Sequence, residues 1–124
     1  MLHDALSPAS AYRRIEFDAQ VEGSDGRGLS RLCLEQAVRA LERAIWAHRH
    51  GDWGVRADAL SRAAGLVLTL REGIAPDNPL RPALLTFLGA ATAVIGTAVS
   101  RFDESRLSAV RDDLQDVLAA LWPH

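Results

Sequence analysis

The chain has 124 residues, 48% of them hydrophobic and 24% charged, with 14 basic against 16 acidic side chains and a formal net charge of −2. That length suits one folding unit rather than two separately cored domains, the apolar fraction argues against disorder, and the charge balance argues against nucleic acid as a partner. Every basic residue is arginine, so lysine-dependent Schiff-base and P-loop chemistry is absent.

The N-terminus, Met1-Leu2-His3-Asp4, lacks the basic-then-apolar order of a secretion signal, and the lone Cys33 has no partner for an internal disulfide. A reducing, cytoplasmic setting is the expectation. Residues 1–28 read as an N-terminal arm and flexible joint: Ser7, Pro8 and Ser10 open it, and Gly23-Ser24-Asp25-Gly26-Arg27-Gly28 closes it. Pro8 suits the first turn of a short helix through Tyr12, and Ile15 and Phe17 supply the arm's other large apolar surface.

Residues 29–122 read as four helices. In the first, Leu32, Cys33, Ala37, Ala40, Leu41, Ala44 and Ile45 recur at steps of three and four, which places them on one helical face. Asp25 is its expected N-cap, and Gly51 ends it after the cationic His48-Arg49-His50, which suits a helix C-terminus. Asp52 caps the second, whose stripe is Val55, Ala59, Leu60, Ala63, Leu66, Val67, Leu70 and Ile74, until Gly73 and Pro76 interrupt it.

The third runs from about Leu80 to Arg101 and carries Leu84, Leu85, Phe87, Leu88, Ala91, Val94, Ile95 and Ala98. Pro82 to Ser100 is free of charge, close to the ~20 apolar residues needed to span a bilayer. Its threonines, glycines and alanines predict instead a helix buried on all sides of a bundle, without membrane insertion. Asp103 caps the fourth helix, with Leu107, Val110, Leu114, Val117, Leu118 and Leu121 as its stripe before Trp122-Pro123. No segment has strand alternation. Four amphipathic helices with short joints predict an all-α, antiparallel up-down-up-down four-helix bundle.

Catalytic patterns are scarce. Carboxylate-bridged metal bundles need Glu-x-x-His pairs, whereas Glu35, Glu42, Glu72 and Glu104 are followed at that step by Val38, Ile45, Ala75 and Leu107. His48, His50 and Asp52 lie close enough in sequence to bind a divalent ion, which keeps a surface-metal enzyme as a third reading. A helix-ending turn explains the same residues. Cys33 lies on the apolar face, where a thiol packs as a small hydrophobe. The glycines at 23–28 follow no strand, so they form no phosphate-binding loop. A non-enzymatic protein without a cofactor or metal is expected.

The first long helix, Leu32 to Ala44 followed by Ala47 and Asp52, resembles the FliS family of flagellin export chaperones, with the hydrophobic frame on Cys33, Val38, Leu41, Ala44 and Ala47. The register continues through Arg62-Ala63, Leu66-Val67 and Leu70, where the family has Lys-Ala-x-x-Ile-Ile-x-x-Leu, and through Ala98 and Asp103. Ala11-Tyr12 is similar to the family's N-terminal Ala-Tyr, and Trp122 to its terminal tryptophan. Leu34-Glu35-Gln36 stands where the family has Tyr-Asp-Gly, and Asp77-Asn78-Pro79 replaces a double glycine.

The resemblance implies a cytoplasmic chaperone that binds the disordered C-terminal segment of flagellin, prevents premature polymerisation and assists export, with the export apparatus as a second partner. A segment of that kind must hide the apolar face it later uses in the filament. Apolar side chains beyond the needs of a four-helix core are the candidate contacts: Leu34, Val38, Trp46, Trp53, Leu68 and Leu85, with Tyr12 on the arm. The alternative is a helical interaction module, such as an export regulator, with a different partner.

Overall fold

The computed structural model describes residues 26–123. It is all-helical: α1 (Gly26–Arg49), α2 (Trp53–Glu72), α3 (Arg81–Ser100) and α4 (Glu104–Leu121), with no strand among the described residues. Tyr12, Ile15 and Phe17, the short arm helix and the Asp25 cap lie outside the described residues. Helix α1 begins at Gly26, so Gly26–Gly28, expected in the joint, are part of it.

The ends of the helices follow local chemistry. Gly51 adopts a left-handed φ of +69°. Its N–H donates to the His48 carbonyl at 3.2 Å, and the Asp52 N–H donates to the Ala47 carbonyl at 2.9 Å. This is a Schellman closure. Asp52 then turns donor for one helix into acceptor for the next: its Oδ1 takes the Val55 N–H at 3.1 Å, capping α2. Asp103 caps α4 in the same way, its Oδ1 accepting from the Arg106 N–H at 3.2 Å. Helix α2 stops at Glu72, and Gly73 donates to the carbonyls of Thr69 and Leu70. Ile74, expected on the α2 stripe, is therefore beyond the helix, where it packs half-buried against the core.

Helix α1 packs on α2 and α4, α2 also packs on α3, and α3 meets α4 only lightly. Leu41, Leu60, Leu66, Ile95, Leu107 and Leu114 are the large side chains at the centre, and no polar or charged residue is buried among the described residues. Because α1 serves two neighbours, its buried arc covers roughly half its circumference at 100° per residue. Leu34 and Val38 fall inside that arc and belong to the core, while Leu32, expected on the stripe, is 40% exposed on the far side.

Helix α3 departs most from expectation. It is long and apolar enough to cross a membrane by length and composition, yet it is not buried on all sides. Only Leu88, Ala91, Ile95 and Ala98 are buried. Among the described residues α2 is its main neighbour and α4 lies loosely alongside, and Pro82, Thr86, Ala90, Ala93, Thr97 and Val99 are exposed.

Candidate functional site

An apolar cleft of about 360 Å³ opens at one end of the helices. Ser30 and Leu34 at the start of α1, Leu70 at the end of α2, and Leu84, Phe87 and Leu88 at the start of α3 line its walls. Val117, Leu121 and Trp122 close it from the end of α4, and Ile74, Asn78 and Leu80 come from the α2–α3 connection. That connection is held by its own turn: the Asn78 N–H donates to the Ala75 carbonyl at 3.1 Å, and Asn78 Oδ1 accepts the Leu80 N–H at 2.8 Å. Leu80 is thereby presented at the rim, 54% exposed.

The volume lies at the low end of the ~300–1,000 Å³ typical of ligand pockets. Its side-chain polar groups come from Ser30, Asn78 and the Trp122 indole, with no carboxylate or imidazole among the described lining residues. The arrangement suits apolar side chains. Flanking the connection, the Nε atoms of Arg71 and Arg81 are buried without a hydrogen-bond partner.

The residues singled out from sequence do not converge here. Leu34 alone lines the cleft, from a buried position. Val38 is in the core, Leu85 is half-buried on α3, and Leu68 is exposed on α2 outside the cleft. Trp46 and Trp53 are about half exposed at the other end of α1 and the start of α2. Tyr12 is outside the described residues. Sequence reasoning missed Ile74, Leu80 and the start of α3 as a wall. Leu84 and Phe87 sit at core spacing, and nothing in that spacing distinguishes a core position from the rim of an open end.

Trp53 belongs to a second cluster, which ties the α1–α2 turn to the α3–α4 turn. The His48 ring stacks on Phe102 at 3.9 Å and lies tilted against Trp53 at 5.6 Å. The Arg56 guanidinium covers Trp53 at 4.5 Å and Phe102 at 5.2 Å, and its Nη1 is 2.7 Å from His48 Nδ1. Arginine only donates, so His48 Nδ1 is the acceptor in this contact.

His50 stacks on Trp46 at 4.3 Å, and its Nδ1 donates to the Trp46 carbonyl at 2.7 Å. Arg49 forms a two-pronged pair with Glu104, Nε to Oε1 at 3.0 Å and Nη2 to Oε2. The three residues considered as a metal set are thus turned to separate tasks: His48 to Phe102, His50 to Trp46 and Asp52 to the α2 cap. Among the described residues no three His, Cys, Asp or Glu side chains are grouped to hold a metal ion.

A shallower groove of about 220 Å³ runs between α3 and α4, lined by Phe87, Ala90, Ala91 and Val94 opposite Arg106, Ala109, Val110 and Asp113. It follows from the light contact between these helices. No family model, curated protein or solved structure matches the chain.

Proposed function

We propose that this protein is a non-enzymatic export chaperone of the flagellin-binding type, which shelters the disordered C-terminal segment of flagellin. The observation that carries the reading is the apolar cleft of about 360 Å³, with Leu80 exposed at its rim. An amphipathic client segment places apolar side chains at steps of three and four and needs concave apolar surface to hide them. The resemblance along α1 and α2 supplies the identity of the client.

The same reading takes the helices as an antiparallel up-down-up-down bundle. The starts of α1 and α3 and the ends of α2 and α4 line one cleft, and the connections are short, 50–52, 73–80 and 101–103, which favours antiparallel neighbours. The setting is cytoplasmic, where both client and export apparatus are met.

A different client is the second reading, favoured by one position. Leu34 stands where the resembled family has a tyrosine, and it lines the cleft, so this position offers no phenolic hydroxyl to the client.

Calorimetry with peptides from flagellin C-termini tests the proposal. Binding of such a peptide is expected, weakened at least about tenfold, or about 1.4 kcal/mol, by Leu80→Asp at an exposed site where helicity should persist. Leu68→Asp probes the outer face of α2 in the same assay. If no flagellin peptide binds the folded chain, the assignment fails.

A further inference from the structure

We propose that the α3–α4 face is a self-association surface, on which a second copy of this chain docks through a two-fold axis. This does not rest on the chaperone reading. The groove between these helices is apolar along its floor, with Phe87, Ala90, Val94 and Val110, and is edged by one cation, Arg106, and one anion, Asp113. These two charges lie seven residues apart, two turns on one face of α4. On α3, Phe87 and Val94 of the lining lie seven residues apart as well.

A two-fold axis lying in the interface and perpendicular to the helices passes through the middle of both stretches. It sets Arg106 against the second copy's Asp113 and Asp113 against its Arg106, giving two reciprocal ion pairs from one surface. It also sets Phe87 against the second copy's Val94, with alanines meeting at the centre. Self-complementarity of this kind is what an isologous dimer requires.

The charges are available for that use. The Arg106 side chain is 71% exposed, and its contact with Asp103 is a loose 4.0 Å. Asp113 is exposed. Helix α3 adds no charge between Arg81 and Arg101, and Ala90 in the groove, with Ala93 and Thr97 elsewhere on the helix, is exposed and small enough to let a second backbone approach closely. Thr92 does not interrupt the apolar surface, because its hydroxyl donates to the Leu88 carbonyl at 2.8 Å within the helix. Two helices, each about 30 Å long and about 10 Å across, offer a flat face of about 600 Å². With side-chain relief this approaches the ~800 Å² per partner of a standard interface. A second copy therefore accounts for the apolar surface of α3 that the other described helices leave uncovered.

The test is sedimentation equilibrium of the full chain, with circular dichroism as the check on folding. The wild type should sediment at twice its 13.5 kDa mass. Arg106→Asp and Asp113→Arg should each raise the dimer dissociation constant at least about tenfold, because each sets like charges face to face. The double exchange, Arg106→Asp with Asp113→Arg, should restore the dimer.

A wild-type chain that remains monomeric at about 100 μM, or a dimer indifferent to both single changes, overturns the proposal. Co-flotation of the wild type with lipid vesicles, lost on Ala93→Arg, also overturns it by assigning the face to a membrane. None of these results depends on flagellin binding, so failure here leaves the chaperone assignment standing and the reverse also holds.

Discussion

Single side chains already separate structural from reactive roles. Cys33 is 1% exposed, and burial pushes its thiol up to about 11. The thiolate is the reactive form, so both access and ionisation protect it. The native protein should fail to react with Ellman's reagent near pH 8 and should release one equivalent after unfolding in guanidinium chloride; rapid reaction of the native chain would place Cys33 at a dynamic surface. Glu104 behaves differently. The Arg49 hydrogen bonds hold its carboxyl below the usual carboxylate range.

A carboxyl lowered in the folded state contributes stability above its ordinary value of about 4.3, and that contribution fades as pH falls through the folded value. Glu104→Gln should therefore lower Tm slightly near neutral pH, and the difference from wild type should close by about pH 2. Because the pair is exposed, 1 M salt should shrink the difference as well. Thermal melts by circular dichroism at the two pH values and two salt concentrations give the comparison. A gap that persists in acid would assign the effect to packing.

At the scale of the helix end, the α1–α2 turn shows which parts of the structure were legible and why. His48, Arg49, Gly51 and Asp52 each carry a local preference, for a helix C-terminus, a left-handed residue and an N-cap, and the hydrogen bonds follow those preferences. Nothing local connects His48 to Phe102, which are 54 positions apart and meet only because their turns are packed together. The same limit explains Leu34 and Val38. A stripe read from one helix gives the direction of its burial, but the width of the arc depends on how many neighbours the helix has, and α1 has two.

The turn itself supports a sharp expectation. A Cβ on residue 51 meets no atom within 4 Å, so Gly51→Ala should destabilise solely through the left-handed backbone, by about 1 kcal/mol. Asp52→Ala should cost a similar ~1 kcal/mol through the lost cap. Urea unfolding of both variants checks the pair. A neutral Gly51→Ala would mean that the turn relaxes out of the left-handed region.

Across the whole molecule, packing is unevenly shared. Helices α1 and α2 together hold most of the core and pack extensively on each other, whereas α3 contributes Leu88, Ala91, Ile95 and Ala98 and meets α4 lightly. Charge-free composition made α3 read as the most buried helix. Hydropathy reports the preference of side chains for an apolar environment and is silent on who supplies it, whether the same chain, a second copy or a client.

Local opening free energies follow buried apolar contact, so amide exchange should rank the elements: α1 and α2 slowest, and α3 faster than both in a monomeric sample. The Arg106→Asp variant isolates that condition. If α3 exchanges as slowly as α1 in this variant, its stability comes from contacts within the chain, and its open face needs no occupant. If α3 is fast in the variant and slows in the wild type as protein concentration rises, the missing protection comes from outside the chain, which is what a helix apolar all round but covered on one side requires.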